Sequence, residues 1–118
     1  DMQELWKRIL FNIAISNCDD HLRNHGFMLT PKGWKLSPVY DLTPNPDGWG
    51  LKLNIDENDN SLNFDVALRA ASWYGVKQDI AEKLITQCKT IVSGWRERAT
   101  RLGISRSDQE QMAEAFRY

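Results

Sequence analysis

Apolar positions in the first sixteen residues recur at helical spacing. Leu5, Ile9 and Ile13 form one row and Trp6, Leu10 and Ala14 a second, with Lys7 and Arg8 on the other side. The pattern predicts a helix from about Met2 to Ser16, apolar enough that both flanks pack. Beyond it the period changes. Residues 26–30 (Gly-Phe-Met-Leu-Thr) and 34–37 (Trp-Lys-Leu-Ser) read as two short strands around the turn Pro31-Lys32-Gly33, and Pro38 ends the second by removing a backbone donor. Thr43 to Gly50 carries two prolines and two glycines and reads as a loop. Leu51 to Ile55 reads as a further short strand, followed by a polar turn from Asp56 to Ser61.

The remainder is helical in pattern. Phe64 to Tyr74 follows a capping Asn63 and stops at Gly75. A longer helix is predicted from about Lys77 to Arg101, with Ile80, Leu84, Cys88, Ile91, Trp95, Ala99 and Leu102 as its apolar stripe. Gly103 ends it, and Ser105-Arg106-Ser107-Asp108 opens a last helix to about Arg117. The predicted fold class is therefore mainly α (α+β), a single domain over residues 1–118.

Between the first helix and the hairpin lies the densest chemistry in the chain, Asn17-Cys18-Asp19-Asp20-His21-Leu22-Arg23-Asn24-His25. Asp19 and Asn24 stand five positions apart. Phosphoryl-transfer enzymes of the protein-kinase class use an Asp followed five residues later by Asn, the Asp taking the proton of the attacking hydroxyl and the Asn holding magnesium. Such a site needs a second carboxylate from a later turn, and Asp41 in Pro38-Val39-Tyr40-Asp41-Leu42 is the candidate. The spacing favours Asp19 over Asp20 as the base, leaving Asp20 as a fallback that caps the turn. His21 either touches phosphate or holds the loop backbone. Arg23 either neutralises transferred phosphoryl charge or pairs with a neighbouring Asp. His25 reads as loop packing, and Tyr40 as a nucleotide-pocket wall or a packing ring. A bare D-x-x-x-x-N recurs by chance, so the alternative of a merely polar loop stands beside this reading.

Composition narrows the class without deciding it. Hydrophobic residues make up 42% and charged residues 26%, a globular balance, and 15 basic against 16 acidic residues give no reason to propose nucleic-acid binding through a basic face. The two cysteines, Cys18 and Cys88, fit no metal spacing and read as reduced thiols of a cytoplasmic protein. No apolar run approaches the ~20 residues of a membrane span, and the start carries no signal-peptide pattern. The run Asp56-Glu57-Asn58-Asp59-Asn60 lacks the Gly and the closing Glu of a calcium loop and reads as solvated. The chain opens on Asp1 inside an apolar-periodic segment, which suggests a piece of a longer protein.

The segment 11–27 together with 34–42 resembles the C-terminal domain of HipA-family serine/threonine kinases, the toxins of bacterial toxin–antitoxin pairs. The family pattern N-x-D-x-H-x-x-N, a hairpin, then P-x-Y-D is matched by Asn17, Asp19, His21, Asn24, Pro38, Tyr40 and Asp41. The strong match covers residues 11–44, and the later helices agree in layout, with Trp95-Arg96 among them. The resemblance implies the helical lobe of a protein-kinase-like fold, with a short hairpin carrying the catalytic loop. It implies Asp19 as the catalytic residue, and His21, Leu22, Arg23, Asn24, Tyr40 and Asp41 as nucleotide contacts. Asn24 and Asp41 would be ligands of Mg2+, with ATP as the phosphate donor. The partners it implies are a protein bearing Ser or Thr, by analogy an aminoacyl-tRNA synthetase, and a helix-turn-helix antitoxin. It implies no direct nucleic-acid binding by this segment and no membrane association. The chain departs from eukaryotic protein kinases at Leu42 and Thr43, where those carry Phe-Gly.

A kinase also needs a phosphate-covering Gly-rich loop and a Lys for the phosphates. No G-x-G-x-x-G is present, so this chain is expected to carry half a site and to be inactive alone. Two other classes remain open on the residues alone. One is a metal-dependent phosphohydrolase built on Asp19, His21 and Asp41; the other is a non-catalytic helical interaction module.

Overall fold

The computed structural model describes all residues, 1–118. The chain is mainly α with one small antiparallel hairpin, as the pattern predicts. Helix α1 spans Met2–Ile15 and lies at the centre of the core. Trp6, Ile9, Leu10, Ile13, Ala14 and Ile15 are buried along it, whereas Phe11 is exposed. Trp6 is fully buried and satisfies its indole N–H on the Ala67 carbonyl at 2.9 Å. Ala67 belongs to α2, Phe64–Ala70, whose cap is Asn63 accepting from the Asp65 amide at 2.7 Å. A 3-10 turn, Ala71–Tyr74, tightens the end of α2, and Gly75 stops it with φ 72.

Helix α3, Gln78–Ser93, packs on α1 through Ala81, Ile85, Leu84 and Cys88. Here the single long helix expected to Arg101 is corrected. The chain breaks at Gly94 and resumes as α4, Trp95–Arg101. Glycine is the weakest helix former after proline, and the Gly94 amide already bonds three residues back, to Ile91, at 3.2 Å. The stripe shifts as well: Ala81, Ile85 and Val92 are buried, while Ile80, Ile91 and Leu102 are exposed. Helix α5, Arg106–Met112, opens on Ser105 accepting from the Asp108 amide and gives way to a 3-10 turn, Ala113–Ala115, before Arg117.

The hairpin pairs β1, Phe27–Thr30, with β2, Gly33–Leu36, in the register Phe27↔Leu36 and Leu29↔Trp34. The strand expected at residues 51–55 is not formed. Leu51 and Ile55 are buried anchors of an irregular loop, and only a single bridge, Gly50↔Ser61, is sheet-like. The reason is local bonding. The Leu51 and Ile55 amides close on the Asn60 and Asp59 carbonyls, both at 2.7 Å, so the segment satisfies itself without a partner strand. The acidic run that follows is the solvated turn expected of it, with Asp56 accepting from the Asn58 and Asp59 amides. No helix is long and apolar enough to cross a membrane.

Candidate functional site

The loop after α1 begins with a helix stop that glycine would normally occupy. Ser16 takes a left-handed conformation, φ 54 and ψ 43, and the next amide, Asn17, bonds back to the Asn12 carbonyl at 2.9 Å. Cys18 still packs against the core, and the chain then turns Asp19 outward. Asp41, the other non-glycine residue at positive φ (58), stands where the hairpin returns. Left-handed backbone at non-glycine residues is uncommon and gathers at functional sites.

A buried polar cluster fixes the loop to α1. The Asn12 side chain donates to Asp20 Oδ2 at 2.8 Å and accepts from Asn17 Nδ2 at 3.0 Å. His25 Nε2 lies 2.9 Å from Asp20 Oδ1. Asp20 is thus the hub of the loop rather than a spare base, and His25 is its partner rather than simple packing. Asn12 and His25 were not identified in these roles from sequence, because a buried Asn inside an apolar helical stripe gives no signal until its partner is placed.

Asp19 behaves differently. Its side chain is mostly exposed, and Lys52 Nζ sits 2.7 Å from Oδ1. That hydrogen bond and the charge of Lys52, with smaller contributions from His21 and Arg23, hold the carboxyl below its usual range. Lys52 lies in the segment read as a strand and was not among the residues identified from sequence. The Asp19 carbonyl accepts from Asn24 Nδ2 at 3.0 Å, which links the two ends of the D-x-x-x-x-N spacing. Asn24 itself is buried at the end of a 3-10 turn, Leu22–Asn24, whose closing amide bonds to the His21 carbonyl at 2.8 Å.

The hairpin performs the return that its length implies. The Ser37 amide bonds to the Gly26 carbonyl at 2.8 Å, Arg8 donates to the Ser37 carbonyl, and the Tyr40 hydroxyl donates to the Arg23 carbonyl at 2.7 Å. Tyr40 is therefore tied to the turn that contains Asn24. Asp41 is exposed and receives no hydrogen bond from the protein. Leu22 is exposed, Arg23 is exposed without an acidic partner, and His21 Nδ1 is buried without one.

As for a metal, no three His, Cys, Asp or Glu side chains form a group able to hold an ion, which removes Asp19, His21 and Asp41 as a self-sufficient metal centre. Asn24 uses its amide nitrogen internally, and neither its Oδ1 nor the Asp41 carboxylate is taken by a protein donor. One amide oxygen and one carboxylate suit magnesium when phosphates and water supply the remaining oxygens. An open cleft of about 660 Å³ between Met2, Leu5, Ile55, Trp73 and Tyr74 borders none of these residues. Its lining is apolar side chains and a self-bonded acidic turn.

A family model described as the HipA-like C-terminal domain matches residues 1–95, a span that contains every residue of the loop, the hairpin and Lys52. No curated protein and no solved structure matches the chain.

Proposed function

This chain belongs to the family of HipA-like C-terminal domains, and on that premise we propose that it supplies the catalytic loop of an ATP-dependent serine/threonine kinase of the HipA toxin type. The observation that carries the reading is the linkage of three separated pieces: Asp19 to Asn24 through a 3.0 Å bond, and Tyr40 to Arg23 through a 2.7 Å bond. The hairpin that brings Tyr40 to this turn carries Asp41 as its next residue, which supports the reading of a second carboxylate for the site.

In this mechanism the exposed Asp19 carboxylate orients a Ser or Thr hydroxyl of a protein substrate and takes its proton as the hydroxyl oxygen bonds to the terminal phosphorus of ATP, while the bond from that phosphorus to the bridging oxygen breaks and ADP leaves. Asn24 Oδ1 and Asp41 would hold Mg2+, which when bound would neutralise phosphate charge. Residues 21–24 and Tyr40 border the nucleotide, with Arg23 directed to phosphate charge. Lys52 must leave Asp19, or share it, when the hydroxyl arrives. A cytoplasmic location, a helix-turn-helix antitoxin and a synthetase-like substrate follow from the family only by analogy.

Labelled γ-phosphate transfer from ATP to Ser or Thr, assayed in the natural protein that carries this domain, tests the proposal. Labelled phosphoserine or phosphothreonine is the expected product. Release of inorganic phosphate from small phosphoesters with no protein labelling would replace the kinase with a phosphohydrolase. The isolated chain 1–118 is expected to transfer nothing, since it holds no G-x-G-x-x-G loop.

A further inference from the structure

The last residues of the chain, beyond the 1–95 family match, reach back to the start of the catalytic loop. Ser16 is fully buried, and its hydroxyl donates to the carbonyl of Ala115, also fully buried, at 2.7 Å. Arg117 Nε donates to the same hydroxyl at 3.0 Å, and the Arg117 amide donates to the Ala14 carbonyl at 2.7 Å. A terminal guanidinium nitrogen of Arg117 reaches the Gly48 carbonyl at 3.5 Å. Phe116, between them, stacks on Trp95 with ring centroids 4.2 Å apart.

We propose that residues 115–117 form a strap that holds the catalytic loop in register, with Arg117 as its positioning residue. Ser16 is the reason a strap is needed. An L-residue in left-handed backbone is disfavoured, and Ser16 is the pivot from which Asn17, Cys18 and Asp19 project. Two hydrogen bonds on its hydroxyl and one on the neighbouring Ala14 carbonyl hold that pivot from the outside. The second arm of Arg117 ties in Gly48, where an added Cβ would lie 3.4 Å from the Ser16 carbonyl and 2.3 Å from Cys18 Sγ. One guanidinium thus spans the start of the loop and the segment packed beside it. The Asn24 end of the loop has separate support, from the Tyr40 hydroxyl on the Arg23 carbonyl and from His25 on Asp20, so the strap acts on Asp19 more than on the nucleotide ligands.

The catalytic half of this inference rests on the kinase reading; the structural half does not. Hydrogen exchange in the 118-residue chain tests the structural half, using Arg117→Gln, Arg117→Lys and Ser16→Ala. Amides of residues 17–25 should exchange about 10-fold faster in Arg117→Gln and Ser16→Ala, while those of α3 stay unchanged. Arg117→Lys, which keeps the charge but only one arm, should fall between. Unchanged loop amides, or acceleration spread equally over α3, would overturn the strap. In the natural protein, Arg117→Gln should lower kcat about 10-fold with KM for ATP within about twofold, and Arg117→Lys should recover part of the loss. An unchanged kcat would remove the positioning role. If the unaltered protein transfers no phosphate, the kinase reading fails, and exchange alone decides whether the strap holds the loop.

Discussion

Lys52 Nζ lies 2.7 Å from Asp19 Oδ1, joining the residue that the D-x-x-x-x-N spacing selects to one that no sequence pattern selects. Both side chains are more than half exposed, so the pair adds little to stability. Its consequence is for protonation. Lys52 favours the ionised carboxylate, and the lowered pKa keeps Asp19 charged to lower pH than an ordinary aspartate.

Lys52→Met should therefore move the acidic limb of the pH–rate profile upward. Asp19 then regains a more ordinary pKa, and the fraction of active carboxylate falls at a higher pH. The check is kcat/KM against pH for both proteins, taken at low salt because exposed charges are screened. An acidic limb that stays in place would show that Asp19 does not govern it.

Asp19→Asn and Asp20→Asn should fail in different ways. Asp19 is exposed and bonds only Lys52 through its side chain, so its amide should leave unfolding unchanged while phosphate transfer falls about 100-fold or more. Asp20 holds Asn12 and His25, so Asp20→Asn should lower stability by about 1–3 kcal/mol and keep more activity than Asp19→Asn. Denaturant melts beside phosphate-transfer rates separate the two.

Gly48→Ala should destabilise the chain although the change is one methyl. The new Cβ would sit 2.3 Å from Cys18 Sγ and 3.2 Å from the Asn45 carbonyl, costing about 1–3 kcal/mol as the loop shifts. Adding Cys18→Ala removes the sulfur and should restore part of that loss. A double-mutant cycle by chemical denaturation reads the coupling, and strict additivity would mean that the two positions do not touch.

Trp6→Phe should cost about 1–3 kcal/mol beyond the smaller ring. The indole N–H is the donor to the Ala67 carbonyl, and phenylalanine has no donor to replace that buried bond. The measurement is the urea midpoint at constant m-value.

By itself the sequence determined the elements whose signals are local. The 3.6-residue period placed α1 to within a residue at its end, and Asn63, Gly75 and Ser105 marked helix ends because each acts on backbone groups a few residues away. The spacing of Asp19, Asn24, Tyr40 and Asp41 was legible for the same reason, since a hairpin of known turn chemistry links them. The family likewise followed from motif residues within one short span. Tertiary structure decided the rest. Leu51 and Ile55 carry strand-like residues, but with no neighbouring strand to pair they became core anchors of a self-bonded loop. Ile80 and Ile91 sit at helical spacing, yet the way α3 lies on α1 turns Ala81 and Ile85 inward and leaves those two facing out. Lys52 on Asp19, Asn12 on Asp20 and Arg117 on Ser16 join residues between eight and 101 positions apart. A charge or an amide in sequence carries no record of its partner; only the packing of the helices brings the two within reach.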